Sequence, residues 1–214
     1  MTSFQTLLQE YTETFQHLNI ASDRVDKLAI FLDRLWTANQ ELNLVSRKMT
    51  RQALVLDHLF DSLLALPHLP QAKVVADLGS GGGLPAIPLA VCRPELRLLL
   101  FEKSPRKCAF LESLKDVFPN IEIHQRLEEN HLPRRVDLVV ARGFKPLQAI
   151  VSLTRAYYRS GGHYMLYKGR MSKISEELKQ AGLPNSSYRL QELQSVGDAE
   201  ERHLVLINTG LKPG

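Results

Sequence analysis

A glycine-rich turn between a predicted strand and a predicted helix has the clearest chemical meaning in this sequence. An apolar run at 74–76 leads into residues 77–85, which read DLGSGGGLP. Glycine adopts positive φ angles and lets the backbone approach a ligand closely, and open α/β sheets bind ligands at the carboxyl ends of their strands. An ordinary turn would not need four glycines in five residues, because glycine loses the most conformational entropy on folding. The turn therefore predicts a nucleotide site, made by Asp77, Gly79, Ser80, Gly81, Gly83 and Leu84.

Two kinds of nucleotide cofactor use a loop of this kind. The dinucleotide fingerprint is G-x-G-x-x-G, but here Leu84 stands where the third glycine belongs. The carboxylate of Asp77 would repel a pyrophosphate and suits a cofactor with a cationic amino-acid tail. Both departures favour S-adenosylmethionine over NAD, with a nicotinamide dehydrogenase as the alternative.

An acidic residue at the end of the second predicted strand adds a ribose contact. Glu102 lies 23 residues after Gly79, where a carboxylate accepts hydrogen bonds from both ribose hydroxyls. The alternative is a surface residue paired with Lys103 or Arg106. The loop together with Glu102 is more specific than either feature alone.

Two further strand ends extend the predicted site. Leu127 and Glu128 follow the third strand, where the leucine would pack on the adenine ring and either the backbone or the glutamate would accept from its amine. Arg142 ends the fourth strand, at the junction of cofactor and substrate, and is a candidate for positioning them. Its alternative role is a salt bridge to Asp137.

Residues that two kinds of nucleic-acid methylation require are missing from this sequence. Residues 141–144 read ARGF, which is not the polar-Pro-Pro-aromatic loop used on exocyclic amines. Cys92 and Cys108 are predicted on helices away from the strand ends, as reduced thiols, which disfavours attack by a thiolate on a pyrimidine carbon. Guanine N7 needs neither device, since it carries a lone pair and no proton, and alignment with the methyl suffices. This absence is consistent with N7 and leaves other acceptors open.

Alternating apolar strands and helices predict the framework. The pattern indicates an α/β, Rossmann-like class I methyltransferase fold, with a mostly parallel seven-stranded sheet, helices on both faces and an N-terminal helical extension. We divide the chain into an extension at 1–70 and a methyltransferase domain at 71–214. The predicted strands are 74–76, 96–101, 121–123, 136–141, 163–167, 188–196 and 203–208, the last two antiparallel at one edge. The predicted helices lie within 4–66, with a polar break at 39–50, and at 84–91, from 104 onward, 146–158 and 172–181.

Composition limits the functional classes. The 214 residues are 44% hydrophobic and 23% charged, as in a globular protein, and no apolar run is long enough to span a membrane. The net charge of +4 divides into −2 for 1–70 and +6 for 71–214, which favours a polyanionic partner. We expect a cytoplasmic monomer without a metal.

Motifs in a specific order resemble one family. Trp36 precedes NLVS at 43–46, and HLFDS at 58–62 precedes the glycine loop. Matches continue at 88–89 and 93–94 and include Arg142, KG at 168–169 and ERHLV at 201–205. From about residue 36 to 207 the chain resembles the ribosomal RNA small subunit methyltransferase G family. It departs from the family pattern at Gly82, Glu102 and Glu200, which precedes ERHLV.

The resemblance implies methylation of guanine N7 in bacterial 16S ribosomal RNA, as free RNA or in the small-subunit particle, with S-adenosylmethionine. By position it implies cofactor contacts at Gly79, Leu84, Leu127, Glu128 and Arg142. Substrate candidates are Lys168, Arg170, Arg202 and His203. We expect His58 and Asp61 to form a hydrogen-bonded pair that fixes a helix to the sheet. Another RNA, a protein or a small molecule as substrate, and a non-enzymatic cofactor-binding module, are alternatives.

Overall fold

The computed structural model describes residues 3–194, 196 and 201–208. Within these ranges the chain forms one seven-stranded sheet of order β3-β2-β1-β4-β5-β7-β6. The strands β1 to β5 run parallel, whereas β7 is antiparallel to β5 and β6 is antiparallel to β7. The predicted fold class is confirmed. The strands are β1 Val74–Leu78, β2 Arg97–Phe101, β3 Ile121–His124, β4 Leu138–Arg142, β5 His163–Lys168, β6 Tyr188–Glu192 and β7 His203–Ile207.

Two strand boundaries differ from the prediction for reasons of pairing. The first strand does not stop before Asp77, because Asp77 pairs in register with Leu100 on one side and Val140 on the other. The sixth strand ends at Glu192 rather than at 196, because β7 begins opposite Glu192, at His203, and a single hydrogen bond from Leu193 N to Arg202 O continues the pairing beyond it. Residue 195 lies outside the described residues.

The N-terminal region is a succession of helices, as predicted, but the polar break is shorter. Helix α3 continues to Leu42 and ends at Asn43 in the left-handed conformation. Asn39, where the break was placed, is buried in α3, and its side chain accepts a hydrogen bond from Val45 N. The helices are α1 Phe4–Gln9, α2 Thr12–His17, α3 Ser22–Leu42, α4 Arg51–Leu54, a π-helical stretch Val55–Phe60, α5 Asp61–Leu63 and a 3-10 turn Leu66–His68.

The helices after β1 connect the parallel strands. The one predicted at 84–91 begins only at Ala86, so that Leu84 belongs to the glycine turn. The one predicted at 146–158 is interrupted at Thr154, whose buried hydroxyl bonds Ile150 O and Tyr164 Oη. The helices are α6 Ala86–Cys92, α7 Pro105–Ser113, α8 Leu147–Leu153, α9 Arg155–Arg159, α10 Met171–Ala181 and a 3-10 turn Asn185–Ser187.

Side chains that alternate along the strands contribute to two hydrophobic cores, one on each face of the sheet. Val75, Leu98 and Val140 point to one face, where they share a core with the N-terminal helices, α6 and α7. Their neighbours Ala76 and Leu99 point to the other face and pack against α8 and α10. Helices therefore cover both faces, as predicted, and the N-terminal region forms part of one covering layer. In the described ranges, no helix has the length and apolarity that crossing a bilayer requires.

Candidate cofactor and substrate site

A cavity of about 840 Å³ opens at the carboxyl ends of β1, β4 and β5. Its walls are the glycine turn, the loop 143–146 after β4, the segment 167–170 that ends β5, and the start of α10. The remaining side comes from the N-terminal region, through the loop 43–50 and the π-helical stretch. The N-terminal helices thus contribute directly to the cavity wall.

The glycine turn is held by backbone hydrogen bonds to β2. Gly79 N and Ser80 N both donate to Phe101 O, at 2.9 and 3.1 Å. Gly79, Gly81 and Gly83 have φ angles of 75°, 55° and 86°, in the left-handed region that residues with a Cβ rarely adopt. The turn therefore depends on glycine at these three positions.

Only one of the four glycines leaves space for a ligand. A Cβ on Gly79 would overlap the ring of Phe144, and Cβ atoms on Gly82 and Gly83 would each lie 2.7 Å from a side-chain carbon of the protein. A Cβ on Gly81 would meet nothing nearer than a carbonyl oxygen at 3.8 Å. The Cβ positions of three glycines are thus occupied by neighbouring side chains, and Gly81 is the one glycine of the turn with room for a side chain.

Asp77 is a buried acid without a partner. Its side chain is 1% exposed, and neither carboxylate oxygen has a hydrogen-bond partner among the described residues. Burial raises the pKa of Asp77 to about 7, since desolvation disfavours the charged carboxylate. A buried unpaired carboxylate of this kind is stabilised by a bound cation, which fits the cationic tail of the predicted cofactor.

Glu102 holds the glycine turn from below. Its carboxylate accepts from Gly81 N at 3.0 Å and from Ser104 N at 2.8 Å, and the residue is buried. The alternative pairing with Lys103 or Arg106 is wrong. Cys108 also lies here, with its thiol donating to Glu102 O at 3.1 Å, so its predicted distance from the strand ends was wrong. Burial raises the pKa of the Cys108 thiol, which disfavours a thiolate nucleophile.

The structure brings together only part of the predicted site. The predicted residues that line the cavity are Gly79, Ser80, Gly81, Leu84, Arg142, Lys168, Arg170 and Arg202. Those that do not are Asp77, Gly83, Glu102, Leu127, Glu128 and His203. Leu127 is buried in the core beside the sheet, and Glu128 is exposed and 3.2 Å from His131 Nδ1. His203 Nδ1 bonds Gly169 O at 2.8 Å, which joins β7 to the end of β5.

Arg142 joins the sheet to the N-terminal helices. Its Nη2 lies 2.7 Å from His58 Nδ1, and its Nη1 donates to His58 O at 3.2 Å and lies 3.5 Å from Asp61 Oδ2. Asp61 also pairs with Arg202 at 3.3 Å. The expected direct bond between His58 and Asp61 is wrong, because both bind Arg142 instead. The alternative partner of Arg142, Asp137, lies at the opposite end of the strand, where it accepts from Val74 N.

Lys168 has partners within the protein. Its Nζ is 2.7 Å from Glu177 Oε2 and donates to Lys145 O at 3.1 Å. The same Glu177 oxygen accepts from Leu147 N at 2.8 Å. This pair holds the C-terminal end of the loop that carries Phe144. The role predicted for Lys168, contact with substrate phosphate, competes with this anchoring.

Several lining residues were not identified from sequence. Phe144, Tyr167 and Glu177 line the cavity, as do Leu44 and Met49 of the loop 43–50. Phe144 lay inside the ARGF segment and could have been found as an aromatic residue directly after a strand end. The loop 43–50 was marked only by the NLVS motif at 43–46, which did not indicate a place in the site, because the approach of this loop to the glycine turn is a tertiary contact.

The sheet order, the glycine turn after β1 and the buried acid before it define a class I S-adenosylmethionine-dependent methyltransferase fold. Solved structures agree: precorrin-6y C5,15-methyltransferase from Geobacter metallireducens matches with a TM-score of 0.52 and 17% identity, over 79% of this chain and 95% of that one. Aeropyrum pernix fibrillarin in complex with S-adenosyl-L-methionine matches with a TM-score of 0.52 and 17% identity, over 70% and 73%.

Sequence comparison narrows the class to one family. The family described as rRNA small subunit methyltransferase G matches residues 24–205. Ribosomal RNA small subunit methyltransferase G 1 of Bdellovibrio bacteriovorus is 40% identical over 196 residues, which cover 90% of this chain and 95% of the relative. Its counterpart in Neisseria meningitidis serogroup B is 31% identical over 195 residues, with 89% and 92% covered. The chain belongs to the rRNA small subunit methyltransferase G family.

Proposed function

We propose that this protein transfers the methyl group of S-adenosylmethionine to N7 of a guanosine in bacterial 16S ribosomal RNA. The observation that carries the proposal is the buried, unpartnered carboxylate of Asp77 beneath a glycine turn that borders the cavity and in which, of the four glycines, only Gly81 has room for a side chain. Membership of the family supplies the substrate class.

The residues around the glycine turn fit the cofactor. The cationic amino-acid end suits the side of the turn that covers Asp77, since an ammonium group would neutralise that carboxylate. Gly81 leaves the space that the ligand needs, and Glu102 lies beside it at the end of β2, where a ribose would bind. Leu127, buried near the end of β3, offers an apolar surface for adenine.

Basic residues at the cavity mouth fit an RNA strand. Lys107, Lys145, Arg170 and Lys173 all line the cavity, and the last three are exposed. Lysine and arginine around a pocket attract phosphates and release counterions on binding. Their distribution on the sheet side of the cavity agrees with the net charge of +6 for 71–214.

In the proposed reaction the protein has to align guanine N7 with the methyl group. S-adenosylmethionine supplies a sulfonium-bound methyl, an electrophile that requires no nucleophile from the protein. Guanine N7 has an in-plane lone pair and no proton to remove, so the side chains must bind the base, orient it and exclude water. The cavity is lined by three carboxylates: Asp61 is paired with two arginines, Glu177 is paired with Lys168, and the third is Asp57. The proposed reaction requires none of them to act as a base.

Methyl transfer from labelled cofactor to small subunits that lack the modification tests the proposal. We expect incorporation into 16S RNA, mapped by chain cleavage at 7-methylguanosine and primer extension. Transfer should weaken steeply with added salt, as phosphate contacts do. Incorporation into protein, incorporation at another atom, or no incorporation into RNA or particle would contradict it.

A further inference from the structure

His58 presents two different nitrogen atoms to two different environments. It lies in the π-helical stretch Val55–Phe60, is half-buried and lines the cavity. Its carbonyl accepts from Ser62 Oγ at 2.7 Å and from Arg142 Nη1 at 3.2 Å. The backbone and the ring are therefore both anchored, and the imidazole is held against one wall of the cavity.

The contact with Arg142 determines the tautomer of the ring. A guanidinium has only donors, so the 2.7 Å approach of Arg142 Nη2 to Nδ1 requires a lone pair on Nδ1. Burial, together with the charges of Arg142 and Arg202, lowers the pKa of His58 to about 3. The imidazole is neutral near pH 7, and its single N–H is on Nε2.

This Nε2–H is a fixed donor without a protein acceptor. No hydrogen bond joins Nε2 to any of the described residues, although His58 borders the cavity. Other donors are less suited to reading a base: Lys168 is bound to Glu177 and Lys145 O, and both terminal nitrogens of Arg142 are turned to His58. A neutral imidazole also offers direction without the strong phosphate attraction of a lysine.

We propose that His58 Nε2–H donates to O6 of the target guanine and selects guanine over adenine, an inference that rests on the function proposed above. Guanine presents N7 and O6 side by side as acceptors, whereas adenine carries an amino donor at the position of O6. The lone pair of N7 must stay free for the methyl, which leaves O6 as the atom to recognise. An adenine amino group would instead oppose the imidazole N–H donor to donor.

Two substitutions separate base recognition from the anchoring of Arg142. In His58→Asn the amide oxygen replaces Nδ1 as acceptor for Arg142, and no donor reaches the place of Nε2. In His58→Gln the amide NH₂ reaches that place, and the acceptor for Arg142 is lost. We expect kcat/KM on 16S RNA to fall about 10- to 100-fold in the Asn variant, because O6 loses its partner, and to be substantially higher in the Gln variant. The affinity of both for S-adenosylhomocysteine should stay within about threefold.

A substrate analogue tests the same contact without altering the protein. RNA with 2-aminopurine at the mapped guanosine keeps N7 and lacks O6. The parent protein should lose about tenfold or more in kcat/KM on this RNA, and the Asn variant should lose nothing further. The measurement on the parent protein therefore does not depend on whether the variants fold.

Failure of the role proposed for His58 can be distinguished from failure of the proposed function. Failure of the parent protein to methylate 16S RNA would remove the function itself. If the parent is active, three results would overturn the role of His58: an Asn variant as active as the parent, an Asn variant more active than the Gln variant, or full activity on the 2-aminopurine RNA. The second result would make His58 only an anchor for Arg142.

Discussion

At the scale of single residues, burial changes what a carboxylate does. Asp77 lies between two strands with its charge unsolvated, and its pKa is raised to about 7. An acid whose pKa is higher in the folded than in the unfolded state favours folding below its ordinary pKa, and this contribution is lost as the pH rises through the higher value. The protein without cofactor therefore carries a destabilising residue near neutral pH.

Asp77→Asn should remove this pH dependence. Without cofactor, the Tm of the variant relative to the parent should increase by several degrees between pH 5 and pH 8, since the amide has no proton to lose. The same variant should bind S-adenosylmethionine about tenfold more weakly at pH 7.5, because the negative charge beneath the glycine turn that favours the cofactor's ammonium group is gone. Thermal unfolding and calorimetry measure both effects. A Tm difference that is constant over this pH range would show that Asp77 has an ordinary pKa.

Gly81→Val should abolish cofactor binding, with a loss of affinity of at least 100-fold, because the side chain would enter the only space that the turn leaves open. Gly161→Val is the control for the strain that a valine causes in left-handed backbone. Gly161 has a φ of 82°, and no atom lies within 4 Å of a Cβ added there. Both variants should show a similar decrease in Tm, because a residue other than glycine in the left-handed conformation destabilises the fold by about 1–2 kcal/mol or more. Equal loss of affinity in the two variants would refute the placement of the ligand at Gly81.

At the scale of elements, buried charge pairs hold the loops around the cavity. The Lys168–Glu177 pair joins β5 and α10 to the C-terminal end of the loop 143–146, whose Phe144 covers Gly79. Arg142 similarly joins β4 to the π-helical stretch. Removing one partner of a buried pair leaves the other charge uncompensated. These residues therefore matter to the shape of the site before they touch a ligand.

Lys168→Met should lower both stability and activity. We expect a loss of about 3 kcal/mol, since Glu177 remains buried without its partner, measured by denaturant unfolding. The matched control is Lys173→Met, an exposed lysine on the same cavity wall. It should leave stability unchanged, raise KM for RNA severalfold and reduce the salt dependence of binding by the equivalent of one phosphate contact. The reverse pattern would make Lys168 the phosphate ligand and Lys173 the anchor.

At the scale of the whole molecule, the N-terminal helices share a core with one face of the sheet. Buried leucines and phenylalanines of α1, α3 and the π-helical stretch pack in the same cluster as Val75 and Leu98. We therefore propose that residues 1–70 and 71–214 are two regions of the sequence that unfold together as one cooperative unit. Separating them would expose apolar surface on both.

Unfolding in urea should be a single transition by two probes. Trp36, the one tryptophan of the chain, lies in α3, so its fluorescence reports on the N-terminal region, while far-UV circular dichroism reports on all helices and strands. Coincident curves are expected for a cooperative unit. A fluorescence transition that precedes the loss of most helical signal would show that residues 1–70 unfold separately.

The sequence by itself determined the sheet, its parallel and antiparallel parts, the glycine turn and the acids at two strand ends, because these features depend on local periodicity and short spacings. Tertiary structure alone decided that Arg142 meets His58, 84 positions away, and that Lys168 is bound to Glu177. It also decided that three of the four glycines are needed for packing, while Gly81 faces the cavity. Partners of this kind are chosen by which elements lie side by side, and that follows from burying both faces of the whole sheet at once.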